Sequence, residues 1–169
     1  MKKPDQLFLP GLPKREKTLR EARAEILANR DNGIDCPCCG RHCKIYRRRV
    51  HAAMAACLIE LYKAKEVGPV DSSYIAKRLR HLDTSHPTGD LSKLAFWDLI
   101  HETPGDPTDE DSPSAWAITE KGESFVERRS TVVKYAFVYL DQVLEFDGEQ
   151  VSIDDALGNR FSFDEIMGR

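Results

Sequence analysis

The chain has 169 residues, of which 41% are hydrophobic and 31% are charged, so it is long enough to bury a core beneath a strongly charged surface. Its formal net charge of −3 at pH 7 excludes a polycation that coats nucleic acid over its whole surface, so any nucleic-acid site must be a local patch. The sequence has neither the ~18 consecutive apolar residues of a membrane-spanning helix nor an apolar signal segment, and we expect a cytoplasmic protein with no membrane partner.

The first predicted elements are an arm and a surface helix. Residues 1–16 contain three prolines, a glycine and charges of both signs, a composition that predicts a mobile arm. Thr18 and Glu21 have the Thr-x-x-Glu spacing of a capping box, which places the start of a helix at this point. Asn32-Gly33 is predicted to end that helix.

The densest chemical signal is the segment 36–43, which holds four of the five cysteines and a histidine. Cys36 and Cys39 have the C-x-x-C spacing that aims two sulfurs at one ion, and Gly40 tolerates the positive φ that such a turn requires. Zinc is the default metal because it accepts tetrahedral sulfur and nitrogen ligands and has no redox chemistry. No second C-x-x-C pair follows to complete the four ligands of a structural zinc. The other candidate ligands are Cys38, His42, Cys43, His51 and a distant histidine.

Two other interpretations of this segment stay open: a reduced cysteine-rich turn without metal, and a disulfide or redox pair. The odd number of cysteines and their bunching favour a reducing compartment and metal ligation over a secreted disulfide scaffold. A catalytic zinc is not expected, because no H-E-x-x-H motif follows and no glutamate has the spacing of a deaminase base. No serine–histidine–acid set, glycine-rich phosphate loop or paired acids in a cleft stands out either, so we expect no enzymatic activity.

A basic cluster follows the cysteines, at the junction with an alanine-rich helix that we expect to run to about Lys65. The cluster comprises Arg41, Lys44, Arg47, Arg48 and Arg49. The helical spacing of Tyr46, Val50 and Met54 predicts that its arginines lie at the helix start, where the helix dipole attracts phosphate. The alternative is a solvated helix face paired with acids. Cys57 lies on the apolar stripe of this helix and is predicted to be a core residue rather than a ligand.

Two more helices and an acidic loop are predicted next. The pattern indicates a second helix over 73–82, capped by Asp71 or Ser72, and a third helix over 90–100. The segment 103–114 is rich in acids and prolines and predicts an exposed loop.

The C-terminal part of the chain is predicted to be rich in β-structure. Residues 131–140 are rich in Val, Tyr and Phe, which predicts a strand, and residues 143–146 are predicted to return beside it. The dipeptide 147–148 is Asp-Gly, which predicts a further turn. A third short strand over 151–153 and a helical turn over 154–158 complete the pattern.

The run 116–125, Trp-Ala-Ile-Thr-Glu-Lys-Gly-Glu-Ser-Phe, resembles the strand-to-helix corner of winged-helix regulators of the MarR and PadR types. In this run Thr119 caps the next helix, and Gly122 allows close packing. The preceding segment 93–100 resembles the end of the third helix before the wing, with Asp98 where the family has a glycine. The resemblance implies a winged helix-turn-helix whose wing is acidic.

Residues 33–168 are also similar to proteins of bacteriophages and prophages that join a C-P-C-C-G…K-I-Y-K-R start, a winged-helix middle and a D-A-L-G…E-[LI]-M tail. The matching residues are Cys36–Gly40, Lys44–Arg47, Trp97–Ile100, Trp116–Phe125, Asp155–Gly158 and Phe161–Met167. This resemblance implies a fold and a setting in a bacterial cell or phage-infected host, and it implies no particular activity.

These patterns together predict an α+β protein with four segments and one cofactor, a structural Zn²⁺. The segments are a mobile arm (1–16), a surface helix with a Cys-rich, zinc-knuckle-like turn (17–45), a winged helix-turn-helix core (46–130) and a β-rich C-terminal extension docked on that core (131–169).

The leading functional hypothesis is a phage-type DNA-binding protein that regulates transcription or replication. Its candidate contacts to duplex DNA are Arg41, Lys44, Arg47, Arg48, Arg49, Lys77, Arg78, Ser92 and Lys93. The third helix offers no Arg, Asn or Gln to base edges and the predicted wing would repel phosphate, so sequence-specific reading is less expected than phosphate contact. The alternative is a protein–protein interaction adaptor, such as a host-takeover factor that docks a host protein. A homodimer is compatible with either hypothesis.

Overall fold

The computed structural model describes residues 17–82, 88–104, 114–139 and 141–168. Helices alternate with small antiparallel sheets along these residues, so the fold is mixed α+β, as the sequence predicts. The chain divides into two compact units, residues 1–46 and residues 47–169. The predicted arm at 1–16 and most of the predicted acidic loop lie outside the described residues. No helix within the described ranges is long and apolar enough to cross a membrane.

Helix α1 of the first unit spans Leu19–Ala28 and begins at the predicted capping box. The hydroxyl of Thr18 accepts from the Glu21 amide at 3.3 Å, and the Glu21 carboxylate accepts from the Thr18 amide at 3.0 Å. The helix ends earlier than the predicted stop at Asn32-Gly33. Asn29 leaves helical geometry, and its side-chain amide donates to a carbonyl of the last turn, so a local side-chain bond competes with the helix.

The other elements follow in chain order. They are β1 (Ile34–Asp35), β2 (His42–Cys43), β3 (Tyr46–Arg49), α2 (Ala52–Ala64), α3 (Ser72–Arg78), a 3₁₀ helix (Leu91–Trp97), β4 (Ile100–Thr103), β5 (Ala115–Ile118), α4 (Glu120–Val126), β6 (Val132–Tyr139), β7 (Gln142–Val151), α5 (Ile153–Leu157) and α6 (Phe163–Met167). Strands β1 and β2 form one antiparallel pair, and β4 and β5 form another. Strands β3, β6 and β7 form a three-stranded sheet in that order.

The core of the second unit surrounds helix α2, which packs against the 3₁₀ helix, α3, α4, α5, α6 and β5. Met54, Leu58 and Ile59 on this helix are fully buried. Trp97 is buried as well, and its indole N–H donates to the Val133 carbonyl at 2.6 Å. This bond satisfies the single polar atom of a large ring. Burial of such side chains, at about 25 cal/mol per Å² of apolar surface, is the main driving force for folding of this unit.

The predicted third helix is shorter and tighter than its sequence pattern indicates. It is a 3₁₀ helix that ends at Trp97, so the prediction that it continues through Leu99 and Ile100 is wrong. Asp98 has a φ of 59°, in the left-handed region where a right-handed helix cannot continue. Glycine adopts this conformation without strain, which explains a glycine at this position in the winged-helix pattern. Ile100 instead begins β4, opposite Ile118 of β5.

The corner between β5 and α4 agrees with the sequence prediction. The hydroxyl of Thr119 accepts from the Gly122 amide at 3.0 Å and donates to the Asp98 carbonyl at 2.7 Å, so it both caps α4 and ties it to the end of the 3₁₀ helix. A Cβ at Gly122 would lie 2.1 Å from the carbonyl oxygen of Leu99. Only glycine fits this approach without a shift of the backbone.

Residues 46–49 form strand β3, so the predictions that Tyr46 belongs to the apolar stripe of the long helix and that the arginines lie at its start are wrong. Helix α2 starts only after His51. The amide of Val50 donates to the Lys134 carbonyl at 3.1 Å, continuing the pairing of β3 with β6. The backbone groups of this segment therefore form hydrogen bonds with a distant strand, although the local apolar spacing predicts helical hydrogen bonds. Tyr46 is 45% exposed and does not belong to the buried stripe.

Strand β7 is continuous, so the predicted turn at Asp147-Gly148 and the predicted strand at 151–153 are wrong. Gly148 has a φ of 99°, and the register with β6 shifts beside Tyr135. This irregularity is a β-bulge, which bends a strand without ending it. A Cβ at Gly148 would lie 2.8 Å from the Tyr135 ring. Ile153 begins α5, close to the predicted helical turn at 154–158.

Candidate functional site

The cysteine segment forms the loop of the β1–β2 hairpin. The amide of Cys36 donates to the Arg41 carbonyl at 2.8 Å, and the amide of Gly40 donates to the Cys36 carbonyl at 2.8 Å. Gly40 has a φ of 71°, the positive value that the sequence predicts after the second sulfur of the C-x-x-C pair. The loop is therefore closed by backbone hydrogen bonds that hold its ends together.

Three of the cysteine thiols interact within this loop. Hydrogen bonds from the amides of Cys38 and Cys39 hold the pKa of the Cys36 thiol below its ordinary value, since they stabilise the thiolate, and both neighbouring thiols add to the effect. Loss of solvation and the charge at Cys36 raise the pKa of the Cys38 thiol. Backbone N–H groups directed at one sulfur are the feature expected of a zinc knuckle.

The two remaining candidates on the hairpin lie on opposite faces of it. Cys43 is buried and pairs across from Ile34, whereas His42 pairs across from Asp35. Successive side chains on a strand point to opposite faces, so Cys43 shares the face of Ile34, and His42 shares the opposite face with Asp35. The Nδ1 of His42 lies 3.0 Å from the Asp35 carboxylate. The chemistry of the donors therefore favours four sulfurs over a set that includes His42.

No three His, Cys, Asp or Glu side chains among the described residues form a recognisable metal-binding group. His51, the other candidate histidine, belongs to the second unit, and its Nε2 lies 2.9 Å from the Asp90 carboxylate. Burial raises the pKa of the Cys57 thiol to about 12, with smaller contributions from the charges of Asp90 and Glu60. Cys57 thus stays protonated inside α2, in agreement with the predicted core role.

The basic cluster divides between the two units. Arg41 is exposed and Lys44 is half-buried in the first unit, whereas Arg47, Arg48 and Arg49 lie on β3 of the second. The three arginines therefore lie on a strand and not at the helix start that the sequence analysis predicted.

Arg47 is held within the three-stranded sheet. Its guanidinium lies 3.6 Å from the centre of the Tyr135 ring and 3.8 Å from the Asp147 carboxylate. Arg48 is half-buried, and Arg49 is exposed. Arg49 has no acidic partner among the residues that the structure describes. Arg49 is therefore the member of this triplet most available to an external anion.

Two of the four candidates on α3 and the 3₁₀ helix are committed to ion pairs. The Nε of Arg78 lies 2.6 Å from a carboxylate oxygen of Glu60, which is 1% exposed. Lys93 pairs with Asp90. Lys77 and Ser92 are exposed. The cationic face that the sequence predicts on these helices is thus reduced mainly to Lys77.

Glu60 is a central residue that the sequence analysis missed. It lies in the buried face of α2 and accepts from Lys63 at 2.7 Å as well as from Arg78, while Lys63 also donates to the Ile166 carbonyl at 2.8 Å. The network ties α2 to α3 and α6. Its signal in the sequence is a lone acid between Ile59 and Leu61 in an otherwise apolar helix.

Lys134 and Arg160 were also missed by the sequence analysis. With Arg49 they line a cavity of about 680 Å³ in the second unit. These three residues are far apart in the chain, so no local pattern links them.

Comparisons with family models, with curated proteins and with solved structures found no match to this chain.

Proposed function

We propose that the chain is a nucleic-acid-binding protein of phage type, with a winged helix-turn-helix that contacts the phosphate backbone of duplex DNA. The observation that carries the proposal is the order of elements in the second unit. Helix α2, a bridge from Val70 to Trp116, helix α3, the 3₁₀ helix and the β4–β5 hairpin follow one another. This order corresponds to the helices, strand and wing of a winged helix, whose third helix enters the major groove.

We infer a structural zinc at the cysteine hairpin as the second part of the proposal. The ligands would be the sulfurs of Cys36, Cys38, Cys39 and Cys43. When bound, zinc would supply a cross-link between the loop and strand β2 without redox chemistry. The interaction of three thiols in the loop and the contact of His42 with the Asp35 carboxylate support this ligand set over one that includes His42.

The exposed side chains of the proposed DNA-binding surface suit contacts to phosphate better than contacts to base edges. Arg41, Arg49 and Lys77 are exposed cations, and phosphate contacts from such residues supply most non-specific affinity. The 3₁₀ helix presents Ser92 but no Arg, Asn or Gln to base edges. We therefore propose binding with little preference for sequence.

The test is fluorescence anisotropy with a labelled duplex at several salt concentrations. The charge reversal Arg49→Glu with Lys77→Glu should weaken binding at least ~10-fold and flatten the dependence of log K on log salt, because the slope is about −0.9 per phosphate contact. Lys121→Glu with Arg129→Glu changes the net charge equally on and beside α4 and is the matched control. Equal affinities for the two double variants would refute the assignment.

A protein-interaction adaptor is the second candidate, and two observations favour it. Arg47, Arg78 and Lys93 are neutralised by internal acids, which interrupts the positive face. Strand β7 lies at the edge of its sheet, and its Leu144 and Phe146 are 52% and 47% exposed. An exposed edge strand with apolar side chains is able to pair with an extended partner segment. A pull-down from nuclease-treated bacterial lysate that enriches one protein, and loses it with Leu144→Asp, would support this candidate.

A further inference from the structure

The second unit contains a cavity of about 680 Å³ that shares Arg49, but neither Lys134 nor Arg160, with the proposed contact surface for DNA. It is bounded by the end of β3, the start of α2, strands β6 and β7, and helix α5 with the residues that follow it. Its volume falls within the roughly 300–1,000 Å³ of small-molecule sites. The cavity is therefore large enough for a ligand of nucleotide size.

The cations of the cavity outnumber its available anions. Arg49, Lys134 and Arg160 are the basic lining residues, and Glu149 and Asp155 are the acidic ones. Each acid has a hydrogen-bond partner, although Asp155 keeps its negative charge and also interacts favourably with the charge of Lys134. Glu149 pairs with Lys134, and the Asp155 carboxylate accepts from the amide and hydroxyl of Ser152 at 2.8 and 2.7 Å.

Arg49 is the lining cation that lacks compensation. Among the residues that the structure describes, it has no acidic partner, and it lies close enough to Lys134 for their like charges to interact unfavourably. Three cations against two carboxylates leave a net positive charge at the cavity that an anion would neutralise. A guanidinium beside an ammonium also suits the oxygen atoms of phosphate, which accept several charge-assisted hydrogen bonds.

The start of helix α2 adds to the same potential. Ala52, its first residue, lines the cavity, and the side chain of the N-cap residue His51 makes no capping hydrogen bond. The first amides of a helix have no acceptor within it, and the helix dipole there is positive. The helix spans 13 residues, so this contribution reinforces the charge of Arg49.

We propose that this cavity binds the phosphate group of a nucleotide-sized ligand, held by Arg49, Lys134 and Arg160 beside the start of α2. The phosphate comes from a free nucleotide or from a nucleic-acid strand, and both present the same chemistry to these residues. The inference goes beyond the proposed contact with DNA, because a free nucleotide would occupy the cavity even if the winged-helix surface bound no duplex.

Isothermal titration calorimetry of the full chain with a nucleoside triphosphate, the matching nucleoside and inorganic phosphate tests the proposal. The triphosphate should bind, and the nucleoside without phosphate should bind at least 10-fold more weakly. Arg49→Ala and Arg160→Ala should each reduce triphosphate affinity at least 10-fold, whereas Lys121→Ala, an exposed change on α4, should not alter it. Circular dichroism checks that each variant stays folded.

A single-stranded oligonucleotide and a duplex form the second arm of the experiment. Triphosphate that binds and is displaced by neither nucleic acid identifies a free nucleotide as the ligand. An oligonucleotide that binds, while the triphosphate does not, identifies a backbone phosphate if Arg160→Ala weakens it. The cavity proposal is overturned if none of the phosphate-bearing probes binds at millimolar concentration, or if both cavity variants bind them as the parent does. Arg160→Ala separates the two proposals, because loss of triphosphate with duplex binding intact supports the cavity alone.

Discussion

The two compact units differ in how much of their chain they bury. Among residues 17–46, only Ala22 and Cys43 are buried, and Leu19 and Leu27 on α1 are 80% and 59% exposed. In the second unit most of α2 is buried, and apolar residues of β6 and of the end of β7 belong to the same core. Below about 70–80 residues a hydrophobic core alone rarely supplies enough stability, and metal, disulfides or a partner usually add to it. We therefore expect the first unit to depend on its cysteines for stability more than the second unit does.

Removal of metal should have the largest effect, because it should destabilise the first unit and leave the second unchanged. Chelation, or Cys36→Ser, should abolish hydrogen-exchange protection over the hairpin, because structural zinc contributes about 10–16 kcal/mol of binding free energy in small domains. Protection of α2 in the second unit should persist. Hydrogen–deuterium exchange with mass spectrometry, beside metal analysis, makes the measurement.

Cys57→Ala is the matched cysteine control for that experiment. It should leave the metal content unchanged, since Cys57 is buried inside α2. Unchanged protection of the hairpin after complete metal removal would contradict a structural role for zinc.

Leu58→Ala should have the next largest effect, confined to the second unit. Leu58 is fully buried in α2, and such truncations cost about 3 kcal/mol because a cavity remains. Urea denaturation followed by tryptophan fluorescence measures the change, since Trp97 and Trp116 both belong to this unit. The exposed substitution Leu27→Ala on α1 is the control, and an equal loss of stability for both would contradict the burial contrast.

Gly122→Ala tests the packing of α4 within the second unit. The new Cβ would lie 2.1 Å from the Leu99 carbonyl oxygen, so α4 or the residues after Asp98 must move. We expect a loss of about 2 kcal/mol, the scale of overpacking in a rigid interior, measured by thermal or urea unfolding. A stability within experimental error of the parent would show that this corner yields more easily than its geometry implies.

Thr18→Ala, a substitution in the first unit, should have the smallest effect of these changes. It removes both hydrogen bonds of the Thr18 hydroxyl with Glu21, leaves the bond from the residue 18 amide to the Glu21 carboxylate, and should cost α1 about 1 kcal/mol. Amide exchange over α1 should accelerate while exchange in α2 stays constant. Thr18→Ser, which keeps the hydroxyl, should restore the parent rate, and failure to do so would assign the effect to something other than the cap.

Local features of the fold were predictable from the sequence because their causes lie within four or five residues. The caps at Thr18, Asp71 and Thr119 are side chains that bond to amides three positions away. The cysteine loop belongs to the same class, since its C-x-x-C spacing and the positive φ of Gly40 are local. The candidate metal site was therefore accessible to sequence reasoning, apart from the choice between Cys43 and His42.

The errors share a different cause, which is competition from distant parts of the chain. Residues 46–49 have helical spacing but pair with β6, and Ile100 has helical spacing but pairs with Ile118. Asp-Gly at 147–148 has the backbone preference of a turn, but strand β7 stays paired with β6 there and forms a bulge instead. In each case the ladder hydrogen bonds outweigh a local propensity of only a few tenths of a kcal/mol to about 1 kcal/mol.

The amino-acid sequence by itself determined the mixed α+β character, the helix caps, the buried role of Cys57 and the cysteine-rich loop, because each depends on composition or on near neighbours. Only the tertiary structure decided which cations remain available. It joined Arg78 to Glu60 and Arg47 to Asp147, and it brought Arg49, Lys134 and Arg160 to one cavity. The physical reason is that electrostatic interactions depend on distance in space, and that distance is set by the packing of the whole core rather than by separation along the chain.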